Sequence, residues 1–331
     1  MLVSGGCGFI GSNFIRHLLL NCEGHRVVNL DCLTYAGNPE NLRDIDNDDR
    51  YSLIPGRIED ADLLGEVLTD MDAVVHFAAE SHVDRSIADA QPFLRTNVIG
   101  TQTLIEAARL AGVRRFVHIS TDEVYGTLGG EGSFTEESPL RPNSPYAASK
   151  AAGDLMVRAA YETHRFPVVT VRPSNNYGPY QYPEKFIPLL ITNLLEGRPV
   201  PVYGDGRNVR DRHFVEDCCA AIELALRKGM EGETYNVGGR SEERNINIVR
   251  KVISILGMDE SSITFVPDRP GHDYRYALDV TKIGRDLGWQ PATDLDTGLR
   301  QTVRWYQDHA AWWRPLKDRL AAESRGFWTT R

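Results

Sequence analysis

Tyr146 and Lys150 stand four residues apart, so on a helix they share one face. A tyrosine is a poor base at neutral pH, because its proton leaves only near pH ~10. A cation beside it favours the phenolate, which can then take a proton from a hydroxyl group. Upstream, Ile119-Ser120-Thr121-Asp122-Glu123-Val124-Tyr125-Gly126 closes an apolar run with two adjacent carboxylates. A simple dehydrogenase needs only the Tyr–Lys pair. An additional acid and base imply proton chemistry beyond hydride transfer. Two carboxyl groups in different environments can divide those roles, one protonated and one ionised.

A second chemical signal lies at the start of the chain. Ser4-Gly5-Gly6-Cys7-Gly8-Phe9-Ile10-Gly11-Ser12 fits G-x-x-G-x-x-G through Gly5, Gly8 and Gly11, and G-x-G-x-x-G through Gly6, Gly8 and Gly11. Glycines allow the tight turn and let the backbone approach a pyrophosphate seated on a helix N-terminus. Asp31 follows at the end of Val27-Val28-Asn29-Leu30. An acidic residue about 20 positions beyond the turn accepts hydrogen bonds from a ribose 2′-OH and repels a 2′-phosphate. Cys32, Leu33 and Thr34 come next, with no arginine to favour NADP. The expected cofactor is NAD, whose nicotinamide cation also assists the Tyr146 phenolate.

These groups need a frame that brings them together. Short apolar runs at 2–4, 26–30, 51–54, 73–77, 115–120 and 168–172 alternate with helical patterns at 11–20, 61–68, 98–111 and 145–164. Such alternation predicts a Rossmann-type doubly wound parallel sheet, an α/β fold that binds ligands beyond the carboxyl ends of its strands. After Arg172 the rhythm breaks at Pro173, Pro179, Pro183 and Pro188. A strand at 234–237 and helices at 246–256 and 298–311 follow. We expect an NAD-binding unit over 1–172, with a returning segment near 211–240. Residues 173–331 are expected to be mainly a smaller mixed α/β substrate domain.

Asp and Glu total 46 against 37 Lys and Arg, a net charge of −9, which disfavours non-specific nucleic-acid binding. No stretch approaches the roughly 20 apolar residues of a membrane span, and Met1-Leu2-Val3 leads straight into the glycine turn, so no signal peptide is expected. Cys7, Cys22, Cys32, Cys218 and Cys219 form no disulfide or zinc pattern, and the histidines show no ligand spacing. A reduced, cytoplasmic protein without a metal site is the expectation.

Taken together, Gly5–Ser12, Ala78-Ala79-Glu80-Ser81-His82-Val83-Asp84-Arg85-Ser86, Thr121–Gly126, Tyr146–Lys150, Ser174-Asn175-Asn176-Tyr177-Gly178-Pro179, Pro183-Glu184-Lys185, Arg210-Asp211 and Asp268-Arg269-Pro270-Gly271-His272-Asp273 resemble the extended short-chain dehydrogenase/reductase superfamily. Within it the chain resembles the dTDP-glucose 4,6-dehydratase family along nearly its whole length. The Thr-Asp-Glu triplet is the specific part. Epimerase relatives carry small or hydroxyl residues there, and GDP-mannose dehydratases keep the Glu but not the Asp.

The resemblance implies a redox-neutral cycle on dTDP-glucose with one bound NAD. Tyr146 deprotonates the 4-OH, aided by Lys150, while hydride leaves C4. Glu123 removes the C5 proton, now acidified by the ketone. Asp122 protonates the departing C6 hydroxyl, Thr121 bonds the 4-oxygen, and hydride returns to C6. Implied cofactor contacts are Gly5, Gly8, Phe9, Ile10, Gly11, Asp31, Thr34, Ile58, Ala79, Thr96 and Asn176, with Tyr146 and Lys150. Implied substrate contacts are Ser81, Thr121, Asn175, Lys185, Pro201, Tyr203, Arg210, Asn245 and His272. Lys185 and Arg210 would supply the positive charge a diphosphate needs in an acidic protein. One departure is Arg57, which stands where the family usually carries an Asp near the adenine.

The resemblance also implies a homodimer formed by the helices at 98–111 and 146–164, with Leu104, Ile105, Leu155 and Val157 as apolar positions on their outer faces. The alternatives are a UDP-hexose 4,6-dehydratase, a sugar-nucleotide 4-epimerase and a non-catalytic dinucleotide sensor. Asp122 with Glu123 argues against the epimerase, and Tyr146 with Lys150 against the sensor.

Overall fold

The computed structural model describes residues 1–268 and 273–327. Seven strands form one parallel sheet in the order Thr234–Val237, Val168–Pro173, Arg115–Ile119, Ala73–His76, Leu2–Ser4, Val27–Asp31, Tyr51–Pro55. The chain builds outward from Leu2–Ser4 to one edge, then returns to Ala73–His76 and builds towards the other. That reversal is the switch point at which such sheets open a crevice.

Alternation along the strands explains why these apolar runs are continuous. Leu2, Val74, Phe116 and Val168 face one core, packed with Leu64, Leu104 and Val157. Val3, Val75, Val117 and Val169 face the other, packed with Phe14, Leu18, Cys218 and Ile222. Helices Phe9–Asn21 and Val215–Lys228 cover the second face, and Ala61–Val67, Thr101–Leu110 and Pro145–His164 the first.

A third core, around Tyr177, Leu190, Ile191, Phe214, Val249 and Leu299, belongs to a smaller α/β assembly. Its sheet is centred on Val209–Phe214, which pairs in parallel with Asn175–Tyr177 and Arg275–Tyr276 and antiparallel with Glu242–Arg244. Helices Phe186–Leu195, Asn245–Ile255 and Leu295–Asp308 pack on it. Val209–Phe214 runs directly into Val215–Lys228, which ties the two assemblies together. No described helix is long and apolar enough to cross a membrane.

Two expectations need correction. The helix at 98–111 is not continuous with regular geometry. Gln91–Leu94 leads into a wider π-type turn, Arg95–Gly100, and regular helix begins at Thr101. The wide turn carries Asn97 inward, where its amide accepts from the Glu80 N–H (2.9 Å) and donates to Ser149 Oγ (2.8 Å). Secondly, Leu104, Ile105 and Val157 are buried under the sheet, not exposed. Facing strands Ala73–His76, Arg115–Ile119 and Val168–Pro173 is what draws them in. The outward apolar side chains are Leu94, Ile99, Leu110 and Leu155.

Candidate active site

The glycine turn sits at the carboxyl end of Leu2–Ser4. Gly5 has φ +74°, and a Cβ there would fall 2.5 Å from the Ala78 nitrogen. A Cβ on Gly11 would fall 2.4 Å from the Gly5 carbonyl oxygen. Both positions therefore require glycine. Gly8 caps helix Phe9–Asn21 without a side-chain hydrogen bond, leaving its first N–H groups to an incoming acceptor. Asp31 is buried at the next strand end, where it accepts from the Cys7 N–H (2.9 Å) and the Leu33 N–H (2.8 Å). Burial raises its pKa, and those two donors oppose the rise.

One cavity collects most of the expected residues. Gly5, Gly8, Phe9, Ile10, Gly11, Asp31, Thr34, Ile58, Ala79, Thr96, Tyr146 and Lys150 all line it, together with Ser81 and Lys185. Asn176 does not. Its amide donates to the Ser174 carbonyl (2.9 Å), on the strand-end loop beside the cavity. Arg57 also stays out, bonded to Glu59 (3.0 Å), and Glu59 is the carboxylate that reaches the lining. A glycine cradle, an open helix N-terminus and a buried carboxylate on one elongated cavity fit a dinucleotide.

At the far end of this cavity lies the titratable cluster. Ser144 caps helix Pro145–His164 through the Ala147 N–H, and Pro145 is fixed for the first turn. Tyr146 and Lys150 are thereby set on its inner face, both buried. Lys150 Nζ donates to the Ile119 carbonyl (2.7 Å), which lies two residues before Thr121. Burial brings the Lys150 pKa down to about 8, against the opposing charge of Asp154. Burial and then Glu123 push the Tyr146 phenol up, with a hydrogen bond to Thr121 opposing. The lowering that the chemistry needs must come from added positive charge.

Thr121 caps a short 3-10 turn, Asp122–Tyr125, by accepting from the Glu123 N–H (3.3 Å). Its hydroxyl donates to Asp122 Oδ1 (3.2 Å), while Oδ2 has no hydrogen-bond partner among the described residues. Burial and the adjacent Glu123 raise the Asp122 pKa to about 8. At neutral pH this carboxyl carries a proton and can give it away. Glu123 is less buried than Asp122 and bears on both Tyr146 and Asp122. A phenol, a lysine, a protonated acid and a second carboxylate thus converge on one strand end.

A buried network backs this cluster. Asp154, one turn beyond Lys150, accepts from Arg172 Nε (2.8 Å) and pairs with His118 Nε2 (3.2 Å). Burial alone would raise its pKa, but Arg172 and His118 bring it down to about 2. Arg172 also donates to the Tyr125 hydroxyl (2.8 Å), which donates to Asn236 (2.8 Å). Asp154, Arg172 and Asn97 escaped the sequence reading because nothing local marks them. Only the i+4 spacing of Asp154 from Lys150 offered a signal.

The remaining expected contacts lie on the smaller assembly. Lys185 Nζ donates to the Ser81 carbonyl (2.9 Å), bringing the loop before helix Phe186–Leu195 to the cavity wall. Arg210 is buried above the Tyr276 ring (4.4 Å) and bears on Asp122. Asn175 pairs in register with Arg212, and Asn245 opens helix Asn245–Ile255. Pro201 and Tyr203 project from the exposed face of strand Val200–Tyr203, outside the cavity. His272 lies outside the described residues. Glu184, Gln181 and Tyr182 line the cavity and were not expected.

Comparison with known proteins gives a consistent outcome. The family model described as GDP-mannose 4,6 dehydratase matches residues 2–302. The dTDP-glucose 4,6-dehydratase of Streptomyces niveus is 51% identical over 321 residues, covering 96% of this chain and 95% of the relative. The crystal structure of DesIV, a dTDP-glucose 4,6-dehydratase from Streptomyces venezuelae with NAD and TYD bound, is 53% identical. It superposes with a TM-score of 0.93, covering 95% of this chain and 99% of that one. The UDP-glucuronic acid 4-epimerase of Bacillus cereus, in complex with UDP-glucuronic acid and NAD, is more distant. It is 30% identical with a TM-score of 0.88, covering 93% of this chain and 98% of that one.

Proposed function

The chain belongs to the dTDP-glucose 4,6-dehydratase family, within the broader family described as GDP-mannose 4,6 dehydratase, and we propose that it converts dTDP-glucose to dTDP-4-keto-6-deoxyglucose by redox-neutral dehydration in deoxysugar biosynthesis. The observation that carries this reading is the adjacent pair Asp122 and Glu123 beside Tyr146 and Lys150, with Asp122 buried and its pKa pushed up by burial and by Glu123. Neither a 4-epimerase nor a simple dehydrogenase has use for it. Gly5, Gly8, Phe9, Ile10, Gly11, Asp31, Thr34, Ile58, Ala79 and Thr96 would hold the cofactor. Bound NAD supplies the acceptor for the C4 hydride, the source of the hydride returned to C6 and, when oxidised, a positive charge beside Tyr146.

The protein's own groups move the protons. Tyr146 takes the proton of the 4-OH, with the Lys150 ammonium stabilising the phenolate. Thr121 hydrogen-bonds the 4-oxygen. Glu123 takes the C5 proton once C4 is a ketone. Asp122 gives its proton to the C6 hydroxyl, which leaves as water, and Glu123 returns its proton to C5; the 4-OH proton taken by Tyr146 replaces the one Asp122 gave up, so the cycle closes with no net proton change. No external reductant is consumed. Ser81, Asn175, Lys185, Pro201, Tyr203, Arg210, Asn245 and His272 serve the sugar nucleotide, and Asn176 the cofactor side. With substrate deuterated at C4, mass spectrometry should find the label at C6 of the product. One free NADH released per turnover would overturn this reading.

The same proposal includes the division near residue 172, with the 211–240 segment returning to the nucleotide-binding unit. It also includes a cytoplasmic setting, in which the five free cysteines stay reduced. We infer a homodimer too. Ile99, 59% exposed, and Leu155, 56% exposed, stand on adjoining helices, and two-fold pairing would bury both from each chain. Sedimentation should give two chain masses at micromolar concentration, and Ile99→Glu with Leu155→Glu should give one. A wild type that sediments as a single chain would refute the dimer.

A further inference from the structure

Strand Val209–Phe214 places Arg210 and Arg212 on one face and Asp211 and His213 on the other. Asp211 is occupied on its own side, accepting from the Gly239 N–H (3.0 Å) and the Ser241 N–H (2.8 Å). Arg212 is buried, with its guanidinium 5.2 Å from the centre of the Phe186 ring. Its Nη2 donates to Asn245 Oδ1 (2.5 Å), while its Nε has no hydrogen-bond partner among the described residues. Among the described residues its carboxylate neighbours, Asp211 and Asp122, act on it through charge alone, without a hydrogen bond. Burial and then Arg210 weigh against its charge, and Asp211, Tyr177 and Asp122 favour it. A guanidinium nonetheless keeps its proton in proteins, so a buried cation stands here with Asp211 as its nearby anion but with no carboxylate in direct contact among the described residues.

The bond to Asn245 has a consequence for the amide. A guanidinium carries donors only, so the amide must turn its oxygen towards Arg212. Its NH2 group then faces away from Arg212, with two N–H bonds to give. Asn245 is held at its other end by its backbone N–H, which donates to the Asn208 carbonyl (3.0 Å). Across the strand pair, Asn175 stands opposite Arg212 with its Oδ1 unpartnered among the described residues.

We propose that Arg212 is a positioning residue for the diphosphate of the sugar nucleotide: it locks the Asn245 amide with its NH2 towards the anion and adds a second buried positive charge behind Arg210. This rests on the functional reading above, which makes Asn245 and Arg210 substrate contacts. The anion in turn balances the guanidinium. Asn245 makes the contact, and Arg212 sets its direction.

The test is calorimetric binding of dTDP and of thymidine, which lacks the diphosphate, to NAD-loaded wild type, Arg212→Met, Arg212→Lys and Asn245→Ala. Charge-assisted hydrogen bonds set the scale, so Arg212→Met should weaken dTDP by about ten-fold or more. Thymidine should change less than about three-fold on the same scale. Arg212→Lys should recover most of the loss, and Asn245→Ala should reproduce it. Adding Arg212→Met to Asn245→Ala should cost less than it does alone, because the two act through one contact. Unchanged dTDP affinity in Asn245→Ala overturns the proposal even if Arg212→Met does not fold. So does equal weakening of thymidine by Arg212→Met. A wild type that does not bind dTDP overturns the functional reading itself, and this one with it.

Discussion

Tyr146→Phe should lower turnover by about 10²- to 10⁴-fold, the usual contribution of a general base, and should stop the reaction before its first observable step. Only the hydroxyl is lost. The ring still packs edge-on against Phe93 (centroids 6.3 Å apart), and the helix cap at Ser144 is untouched. Fold and bound cofactor should therefore be retained. Without the phenolate the 4-OH keeps its proton, and the C4 hydride cannot leave. Stopped-flow mixing with dTDP-glucose should show the absorbance of bound reduced nicotinamide in wild type and none in the variant. A transient of wild-type rate and amplitude in Tyr146→Phe would remove Tyr146 from the role assigned to it.

Asp122→Asn and Glu123→Gln should fail at different later steps, each by about 10²-fold or more. Gln cannot take the C5 proton, so Glu123→Gln should oxidise C4 yet scarcely exchange C5 with solvent deuterium. Asn cannot protonate the leaving hydroxyl, so Asp122→Asn should oxidise C4, exchange C5 and fail to lose water. The pH profile separates them further. Asp122 is an acid with a pKa of about 8, so dehydration by wild type should decline above that pH while C5 exchange continues.

Stability carries the same signature. The folded state keeps a proton on Asp122 that the unfolded chain, with a carboxyl pKa near 3.9, has lost. Between roughly pH 4 and pH 8 the native state binds the extra proton, so this group's contribution falls as pH rises across that window. Asp122→Asn removes the penalty and should melt a few degrees higher than wild type at pH 8. If Glu123→Gln exchanges C5 at the wild-type rate, or Asp122→Asn melts lower at pH 8 than wild type, the division of roles is wrong.

Much of this was legible in the sequence because it depends on local spacing. The strand–helix rhythm that builds the seven-stranded sheet is a pattern of apolar runs, and helix Pro145–His164 announces itself through Ser144-Pro145 at its start. Gly5 and Gly11 are required by close backbone approaches within one turn. Tyr146 with Lys150, and Asp122 with Glu123, are neighbours in sequence before they are neighbours in space. What remained hidden depends on approaches between distant segments. Leu104 and Val157 read as outward-facing because helical periodicity has no absolute phase, and only docking against the strands turned them inward. The wide turn at Arg95–Gly100 follows from Asn97 reaching Glu80 and Ser149, partners a local pattern cannot name. Two of the protonation states that matter most are likewise tertiary facts. Asp122 is an acid because it is buried beside Glu123, and Arg212 is a buried cation because its strand pairs against Asn175 and faces Asn245. Residue type and spacing determined which groups were present, while burial, which sums contributions from the whole fold, decided their protonation and direction.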